Sequence, residues 1–472
     1  MLSSGHARTS SACDGIRRAE QLVELGHLSD AINVLGKSKG VRAEILRRNV
    51  KEQRARFNVG VVPSLPLELV TTKSPRVFSL QTNSVPYTQS GYTVRSVQSM
   101  KAMSNAGVAV STATRLGYPV VVGKMPKANI EIIDGLEFHR LLPRVFPLQF
   151  SEEIELAVSL LQEAAEEFCP SVLHTTTDSK NAQVVSRVAK RLSIPWVYEV
   201  RGEPEKTWVS KFPRELQDEV LVSERFTALQ NKETEAMKAA SAVIALSEVS
   251  KASLELRGVP SEKIMVIPNA VEREFTDRSY DKAAIRAELG LSERKLVGTV
   301  SSIVDYEGLD TLLEAAALNE DFDVVIVGDG AHLQVLKRRA QQLGLRERVQ
   351  FVGKVPSSEA WKWYAALDVF AVPRKNTEVC RSVTPLKPLM ALSLGIPVVG
   401  SDLPALNEVT GGNLIAHEPE DAESLAQAIG RAFETSPAER LALRSWAKTR
   451  TWEVNGQKFE ALFSGRALRN EA

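Results

Sequence analysis

The sequence predicts an α/β protein with two doubly wound, Rossmann-like domains and a helical extension at the N-terminus. Two observations carry this prediction. From residue 295 onward, apolar strands alternate regularly with helical segments, which is typical of a parallel sheet with helices on both faces. Between residues 76 and 118, a strand, a glycine-containing loop, a helix and a second strand form a separate βα unit. Pro268 and Asn269 interrupt the pattern between these two regions.

The composition is that of a globular protein without a global charge to attract a polyanion. The 472 residues are 43% hydrophobic and 25% charged, and the formal net charge is +1. This balance argues against nucleic acid as a partner and requires any anion site to be built locally. The three scattered cysteines have no metal-ligand spacing, which fits a reducing compartment. No apolar run reaches the ~18 residues of a membrane span and the N-terminus lacks a signal peptide's apolar core, so we expect a cytoplasmic protein.

The stretch at 1–75 is predicted to be a helical extension whose start, at positions 1–14, is disordered. Residues 17–36 read as two amphipathic helices broken at Gly26, with Ser29 or Asp30 as the second cap. A third, basic helix follows at residues 41–57.

This extension has two possible roles. Its basic helices could cover the main body, or they could contact a partner protein or an anionic lipid surface. The second role would place the protein peripherally at the inner face of a membrane. Because the strand at Arg76 opens a complete sheet, the sequence also predicts that a chain without the extension folds.

Two basic residues of the first α/β region are candidates for catalysis. His174 is predicted to lie at the carboxyl end of a strand, and Arg201 follows the next strand. Open α/β sheets bind their ligands at this edge. Each residue also has a structural interpretation, since a lone histidine is more often structural, and Arg201 could pair with Glu199, Glu203 or Glu205.

Residues 369–402 are predicted to bind a phosphate-bearing ligand. An apolar strand ends at Pro373, a polar loop follows, and a helix opens at Pro385 or Pro388 and ends at Gly395. Such a helix start offers free N–H groups and a favourable dipole to an anion. Between Pro373 and Gly395, four cations accompany one acid, Glu378, which gives a local charge balance of four minus one, or +3: Arg374, Lys375, Arg381 and Lys387. The alternative is a solvated charged loop.

Five phrases, in the same order, resemble retaining glycosyltransferases of family 4. They are SVPYTQSGYTVR, YEVRG, MVIPNAVE, SSIVDYEGLDTLLEA, and PRKNTEV followed by VTPLKPLMALS. The last phrase is typical of a bacterial branch of the family. The resemblance spans roughly residues 76 to 460 and implies the GT-B fold, in which two Rossmann-like domains face each other across a cleft.

The resemblance also implies domain boundaries. We expect four regions: a helical extension at 1–75, a Rossmann-like acceptor domain at 76–269, a Rossmann-like nucleotide-sugar domain at 270–449, and a C-terminal helix at 450–472 that returns to the first domain.

Individual residues acquire roles from the same resemblance. Gly91, Tyr92 and Arg95 would lie in a loop beneath the acceptor and donor sugar. Arg201 stands where many relatives carry a histidine that contacts the donor sugar. The donor and its pyrophosphate would be held by residues of the second region: Arg374, Lys375, Arg381, Lys387, Met390, Ser302 and Gly328. Gly328 enters this set because a glycine at a strand end permits close backbone approach.

Four positions depart from the family pattern. Ser302 and Glu307 stand where the wider family usually carries the pyrophosphate contacts Arg and Lys. Ser382 and Met390 stand where the family carries glutamates. A thioether is only a weak hydrogen-bond acceptor for a ribose diol. The changes at Ser382 and Met390 are expected to weaken donor binding.

The function implied is metal-independent, retaining transfer of a hexose from a nucleoside diphosphate sugar to a glycan or lipid-linked acceptor, with no other cofactor. The sequence shows no acidic pair spaced for a metal ion. The alternative is a catalytically impaired homologue that acts as a binding or partner subunit in polysaccharide assembly. An epimerase or phosphorylase on the same fold agrees less well with the five phrases.

Overall fold

The computed structural model describes residues 4–67, 70, 72, 74–356 and 358–467. The ends of the predicted extension and of the predicted C-terminal helix, residues 1–3 and 468–472, lie outside this range. The chain divides into two compact units. The first contains Met1–Ile244, Leu254–Met265 and Glu460–Ala472, and the second contains Ala245–Ser253 and Val266–Phe459. No helix in the described part of the chain is long and apolar enough to cross a membrane.

An eight-stranded sheet forms the centre of the first unit. Its strands are β1 (Arg76–Gln81), β2 (Ala109–Thr114), β3 (Ile130–Ile133), β4 (Leu136–Arg140), β5 (Val172–Thr176), β6 (Trp196–Glu199), β7 (Ala242–Ala245) and β8 (Ile264–Val266). Their order is β3-β4-β2-β1-β5-β6-β7-β8. The strands from β4 to β7 run parallel, and the edge strand β3 is antiparallel to β4. Strands β5, β6 and β7 are buried throughout, as expected for parallel strands covered on both faces.

The helices that precede β8 in the described part of the chain are α1 (Ser4–Glu24), α2 (Leu28–Lys37), α3 (Val41–Ala55), α4 (Gly91–Asn105), α5 (Phe150–Phe168), α6 (Ser179–Leu192), α7 (Pro204–Val209), α8 (Arg214–Leu221), α9 (Glu224–Ala239) and α10 (Glu248–Leu256).

The second unit contains a six-stranded parallel sheet. Its strands are β9 (Lys295–Val300), β10 (Phe322–Val327), β11 (Val349–Gly353), β12 (Val369–Val372), β13 (Val398–Ser401) and β14 (Leu414–His417), in the order β11-β10-β9-β12-β13-β14. Buried clusters cover both faces of this sheet, as the alternating pattern predicts.

The helices that follow β8 are α11 (Arg273–Asp277), α12 (Lys282–Leu289), α13 (Leu309–Leu318), α14 (Leu333–Gln342), α15 (Ala360–Ala365), α16 (Glu378–Ser382), α17 (Lys387–Ser393), α18 (Pro404–Thr410), α19 (Ala422–Phe433), α20 (Pro437–Ala447) and α21 (Trp452–Phe463). The end of α21, from Glu460 onward, groups with the first unit.

The extension is helical almost from its beginning. Helix α1 starts at Ser4, so the disorder predicted for positions 1–14 is wrong from Ser4 on. No proline interrupts residues 4–24, so nothing in this stretch blocks continuation of the helical backbone. The predicted break at Gly26 is present, with φ at +87°. The predicted cap is wrong, because α2 begins after His27, which makes no side-chain capping bond.

The extension and the segment after it are bonded to the first unit in different ways. Helices α1 to α3 share a small apolar core of their own, and the Ser29 N–H donates to Glu224 at 2.7 Å. The segment at residues 59–64 is held more deeply. The buried Trp196 N–H donates to Ser64 Oγ at 2.9 Å, and Gln183 donates to the Val59 carbonyl at 2.9 Å.

Truncation should separate these two parts. A chain beginning at residue 59 keeps the partners of Trp196 and Gln183, whereas a chain beginning at residue 74 leaves them unpaired. Each lost partner of a buried polar group costs about 1–3 kcal/mol. We therefore expect the second truncation to lower the melting temperature clearly more than the first in a thermal unfolding experiment. Equal melting temperatures would show that residues 59–73 contribute nothing.

Candidate functional site

Three charged side chains meet at the carboxyl end of β12 in the second unit. Glu307 lies in a 3-10 turn (Asp305–Glu307) after β9 and is only 4% exposed. Its Oε1 accepts hydrogen bonds from Arg374 Nη2 at 3.0 Å and from Lys387 Nζ at 2.8 Å. Burial alone would raise the pKa of Glu307, but Arg374 and Lys387 outweigh it and lower the pKa to about 2. The two predicted phosphate-binding cations thus share an internal anion.

The predicted local charge balance of +3 is wrong. Lys375 Nζ contacts Asp305 at 2.6 Å. Asp305 belongs to the same turn as Glu307, so this turn provides a second acid beside residues 374–387, which we call the cation loop. Glu307 and Asp305 therefore pair with three of the four cations and lower the local excess of positive charge. The two additional acids belong to the turn after β9, far upstream in the chain, so a charge count along residues 369–402 alone could not include them.

Arg381 lies on the short helix α16, which the sequence pattern did not predict. Its Nε donates to the side-chain oxygen of Asn376 at 2.7 Å, and Thr377 caps the helix by accepting from the Cys380 N–H. Arg381 is exposed and makes no contact with Glu307. The structure therefore gathers Arg374, Lys375 and Lys387 around one turn and leaves Arg381 at their side.

At both positions that lack the family glutamates, the side chain contacts other residues of the second unit. Ser382 is 8% exposed and donates to the Glu378 carbonyl at 3.0 Å. Met390 packs against the core of the second unit, with its Sδ 3.9 Å from Ser393 Oγ. Helix α17 contains only seven residues, fewer than the predicted span to Gly395, so its dipole is smaller than expected.

Ser302 and Gly328 have different surroundings. Ser302 is exposed after β9. Gly328 follows β10 with φ at +138°, and a Cβ on this residue would lie 1.8 Å from the Ser301 carbonyl oxygen. The close approach that the sequence predicts at Gly328 is therefore made to the chain's own backbone, which explains the glycine without a ligand.

One group of possible metal ligands lies beside these cations. Single ligand atoms of Asp305, Asp310 and His332 lie within 4.8 Å of one another, although their sequence spacing gave no such indication. Lys375 Nζ is 2.6 Å from Asp305 and 4.0 Å from Asp310. Because the ammonium group of Lys375 already lies beside both carboxylates, we assign no metal ion to them.

A second buried network joins the candidate residues of the first unit. Glu199, at the end of β6, has no exposed surface and accepts from Arg95 Nε and Arg201 Nη2, each at 2.7 Å. Burial alone would raise the pKa of Glu199, but Arg201 and Arg95 hold it well below its usual range. Arg201 also donates to Ser96 Oγ at 2.5 Å. The structure thus contains the ion pair between Arg201 and Glu199 that the structural interpretation of Arg201 predicts.

His174 lies in the interior of β5 rather than at its end. The strand continues to Thr176 because the β-branched threonines after His174 favour extended backbone, so the predicted position is wrong. The residue is 1% exposed, with Nδ1 2.7 Å from Ser79 Oγ and Nε2 3.4 Å from Glu199. Burial lowers the pKa of His174, which favours the neutral ring. The imidazole is enclosed by groups of its own unit.

The loop that the resemblance placed beneath the sugars opens helix α4. Ser90 and Thr93 form a capping box there, and Gly91 is exposed at the first helical position. Tyr92 is partly buried: its hydroxyl contacts Thr176 Oγ1, and the guanidinium of Arg201 lies 4.8 Å from its ring centroid. Arg95 is 2% exposed. Of the three predicted residues, Gly91 and Tyr92 reach the surface, whereas Arg95 faces Glu199.

Local sequence patterns do not reveal the central position of the two buried carboxylates, Glu199 and Glu307. The sequence indicates Glu199 as one of three possible partners of Arg201. Its pairing with Arg95 spans 104 residues, so no local pattern predicts it. Glu307 was visible as a departure from the family pattern, and its bonds to Arg374 and Lys387 span 67 and 80 residues. Two signals in the sequence point to Glu307: it is an acid at a position where the family carries a cation, and Arg374 and Lys387 outnumber the acids near them in the sequence.

Two family models match the chain, one in each α/β region. The model described as "Glycosyl transferase 4-like domain" matches residues 90–270, and the model described as "Glycosyl transferases group 1" matches residues 281–450. Together they cover well over half of the chain and include both buried networks. The second α/β region therefore resembles group 1 glycosyl transferases, and the first resembles a glycosyl transferase 4-like domain.

Curated relatives match part of this chain. A GDP-mannose-dependent alpha-(1-6)-phosphatidylinositol monomannoside mannosyltransferase of Mycolicibacterium smegmatis is 29% identical over 45% of this chain and 59% of its own length. The alpha-monoglucosyldiacylglycerol synthase of Streptococcus pneumoniae is 30% identical over 41% of this chain and 45% of its own length. The chain thus spans about half the length of the curated relatives it matches.

Solved structures resemble the fold more completely. Sucrose-phosphate synthase from Thermosynechococcus elongatus has a TM-score of 0.65 at 20% identity, covering 84% of this chain and 100% of that one. HepE from Anabaena in complex with UDP and glucose has a TM-score of 0.62 at 19% identity, covering 82% of this chain and 98% of that one. At such identities the likeness concerns the fold alone, and it confirms the predicted GT-B class.

Proposed function

We propose that the protein is a hexosyltransferase that moves a hexose from a nucleoside diphosphate sugar to a glycan or lipid-linked acceptor. One observation carries this proposal: Arg374 and Lys387 converge at the carboxyl end of β12, within the region that the group 1 model matches. The names of the curated relatives, a mannosyltransferase acting on a phosphatidylinositol mannoside and a glucosyldiacylglycerol synthase, support a hexose donor and a lipid-linked acceptor.

The proposed chemistry depends on charge at the leaving group. As the glycosidic bond breaks, the diphosphate gains negative charge, and cations already held at that position lower the barrier most. Arg374 and Lys387 would take this role, with Lys375 beside them. In the structure, Arg374 and Lys387 both bind Glu307, so the donor diphosphate would compete with this carboxylate for them. We further propose retention of the anomeric configuration and activity without a metal ion, which turnover in the presence of EDTA would test.

The buried basic residues of the first unit receive a different proposal. Arg95, His174 and Arg201 surround Glu199 and are almost fully enclosed. We propose that they hold the strand ends and helix α4 in position, and that Gly91 and Tyr92, which reach the surface, remain the acceptor-side candidates.

A second candidate function rests on Glu307. A carboxylate that is paired with both Arg374 and Lys387, together with the replacement of the two family glutamates, favours weak donor binding. The alternative is therefore an impaired homologue that serves as a binding or partner subunit in polysaccharide assembly. Turnover of any sugar nucleotide by the purified protein would exclude it.

Removing the ammonium group of Lys387 tests the donor site. The change Lys387→Met keeps the aliphatic stem and should weaken nucleoside diphosphate binding by about 10- to 150-fold, the effect of one charged hydrogen bond. The matched control is Lys362→Met, which removes an ammonium paired with Glu288 elsewhere in the second unit. Titration calorimetry with UDP and GDP provides the measurement. Unchanged affinity in Lys387→Met would place the donor site elsewhere.

A further inference from the structure

The first unit carries a concentrated apolar surface that the proposed reaction does not use. Among the described residues, 21 large hydrophobic side chains are exposed, and nine of them lie in one short stretch: Val120, Val121, Val122, Met125, Ile130, Ile132, Val145, Phe146 and Leu148. Scattered exposed apolar residues are ordinary on a soluble protein. A concentration of this kind instead marks an interaction surface.

These residues come from two loops that lie side by side. The Gly117 N–H donates to the Leu141 carbonyl at 2.8 Å, which joins the loop after β2 to the loop after β4. A Cβ on Gly117 would lie 2.8 Å from Val121 and 2.9 Å from Phe146, so these two side chains are neighbours. We call residues 120–130 and 144–149 together the apolar edge.

The local backbone keeps the apolar side chains of this edge outside the core. Val120–Val122 form a single 3-10 turn, which has three residues per turn and sends consecutive side chains in three directions. All three valines are nevertheless more than 40% exposed, so the turn stands clear of the body. Met125 and Leu148 are 77% and 87% exposed, respectively. Packing within the first unit therefore gives no account of these side chains.

The charges of the apolar edge have one sign. Lys124, Lys127 and Arg144 are exposed, and they make no ion pair with any residue that the structure describes. Residues 120–130 and 144–149 contain no aspartate or glutamate. Exposed apolar side chains with only cations among them are complementary to a bilayer surface with anionic headgroups. An acidic protein groove would match the charge, but nothing in the structure selects a partner of defined shape.

We propose that the apolar edge docks the protein on an anionic lipid bilayer. Met125, Val145 and Leu148 would enter the boundary between headgroups and acyl chains, while the three cations contact anionic headgroups. This places the membrane contact on the main body, whereas the sequence suggested the N-terminal extension. Docking does not depend on the transfer reaction, so it can be tested without donor or acceptor.

The test is a flotation assay with the full-length protein and two kinds of vesicle. One contains phosphatidylcholine alone, and the other also contains phosphatidylglycerol. The wild type should bind the second kind, less strongly at high salt. The triple variant Lys124→Glu, Lys127→Glu, Arg144→Glu should lower the partition constant by at least about 100-fold, at roughly fivefold for each lost cation. The triple serine variant of Met125, Val145 and Leu148 should also lose most of its binding, because it removes buried apolar area.

Two matched controls isolate the apolar edge. Leu256→Ser removes a side chain that is 91% exposed elsewhere in the first unit, and Arg48→Glu with Lys51→Glu reverses two exposed charges on α3. Neither should change vesicle binding, and circular dichroism should show intact folding in every variant. Full binding by the edge variants, or loss of binding only in the α3 variant, would overturn the proposal. So would absence of vesicle binding together with a concentration-dependent dimer that the edge variants abolish.

Discussion

The variant Glu307→Gln is expected to bind nucleoside diphosphates about 10- to 100-fold more tightly than the wild type, on the order of one charged hydrogen bond gained. In the wild type, Glu307 accepts from both Arg374 and Lys387, so an incoming diphosphate has to replace an ionised carboxylate. Glutamine keeps the shape of the side chain and removes its charge. Titration calorimetry with UDP and GDP measures the difference.

The matched control for this variant is Glu314→Gln, which neutralises a half-exposed carboxylate paired with Arg339 in the same unit. Its affinity should stay within about twofold of the wild type, because exposed ion pairs contribute little. Equal affinity in Glu307→Gln and Glu314→Gln would show that the diphosphate does not meet Arg374 and Lys387.

The same substitution should alter the stability of the second unit in a pH-dependent way. The pKa of Glu307 is about 2 in the folded protein, below its ordinary value of 4.5. A depressed pKa contributes stability above pH 4.5, and this stability is lost as the pH falls towards 2. The contribution is roughly 3 kcal/mol. Urea unfolding at several pH values should show this loss in the wild type and not in Glu307→Gln.

A larger loss of stability is expected for Glu199→Gln. The substitution leaves the guanidinium groups of Arg95 and Arg201 buried without their carboxylate. Removing one partner from a buried ion pair typically costs about 3–5 kcal/mol, because an uncompensated charge remains inside. We therefore expect the free energy of unfolding of the first unit to fall by that amount in a urea titration.

The control for Glu199→Gln is Asp134→Asn, which breaks an exposed pair with Lys101 in the same unit. It should cost less than about 1 kcal/mol. If both substitutions cost the same, Glu199 does not organise the carboxyl end of the sheet. In that case, Arg201 and His174 would again be candidates for substrate contact.

The regular alternation of apolar strands and helices from residue 295 onward was sufficient to predict the parallel sheet of the second unit. Strand β12 is a continuous apolar run, and β10 is apolar except for one aspartate, a composition typical of strands that are buried on both faces. The hairpin of β3 and β4 was missed. Ile130 and Ile132 of this hairpin are exposed on an edge strand, so its pattern differs from that of a core strand.

The candidate sites were predictable only in part, because their charges are paired across long sequence separations. The phrase around Arg374 and Lys387 predicted a strand, a polar loop and a helix, and the structure contains this strand and this helix. Counting charges within that phrase could not reveal Glu307, whose backbone lies on a different strand connection. His174 was misplaced for a local reason, since the strand continues through two more threonines. Local patterns thus found the elements, whereas the partners within the sites required the fold.

The central claim is that the second unit binds a nucleoside diphosphate sugar through Arg374 and Lys387 for hexose transfer. The most direct measurement is release of nucleoside diphosphate from a panel of UDP- and GDP-hexoses, with lipid-linked and glycan acceptors, by wild type, Lys387→Met and Lys362→Met. We predict turnover of at least one donor by the wild type and the Lys362 variant, and a loss of at least about tenfold in Lys387→Met. Equal turnover in all three proteins, or none with any donor, would contradict the claim.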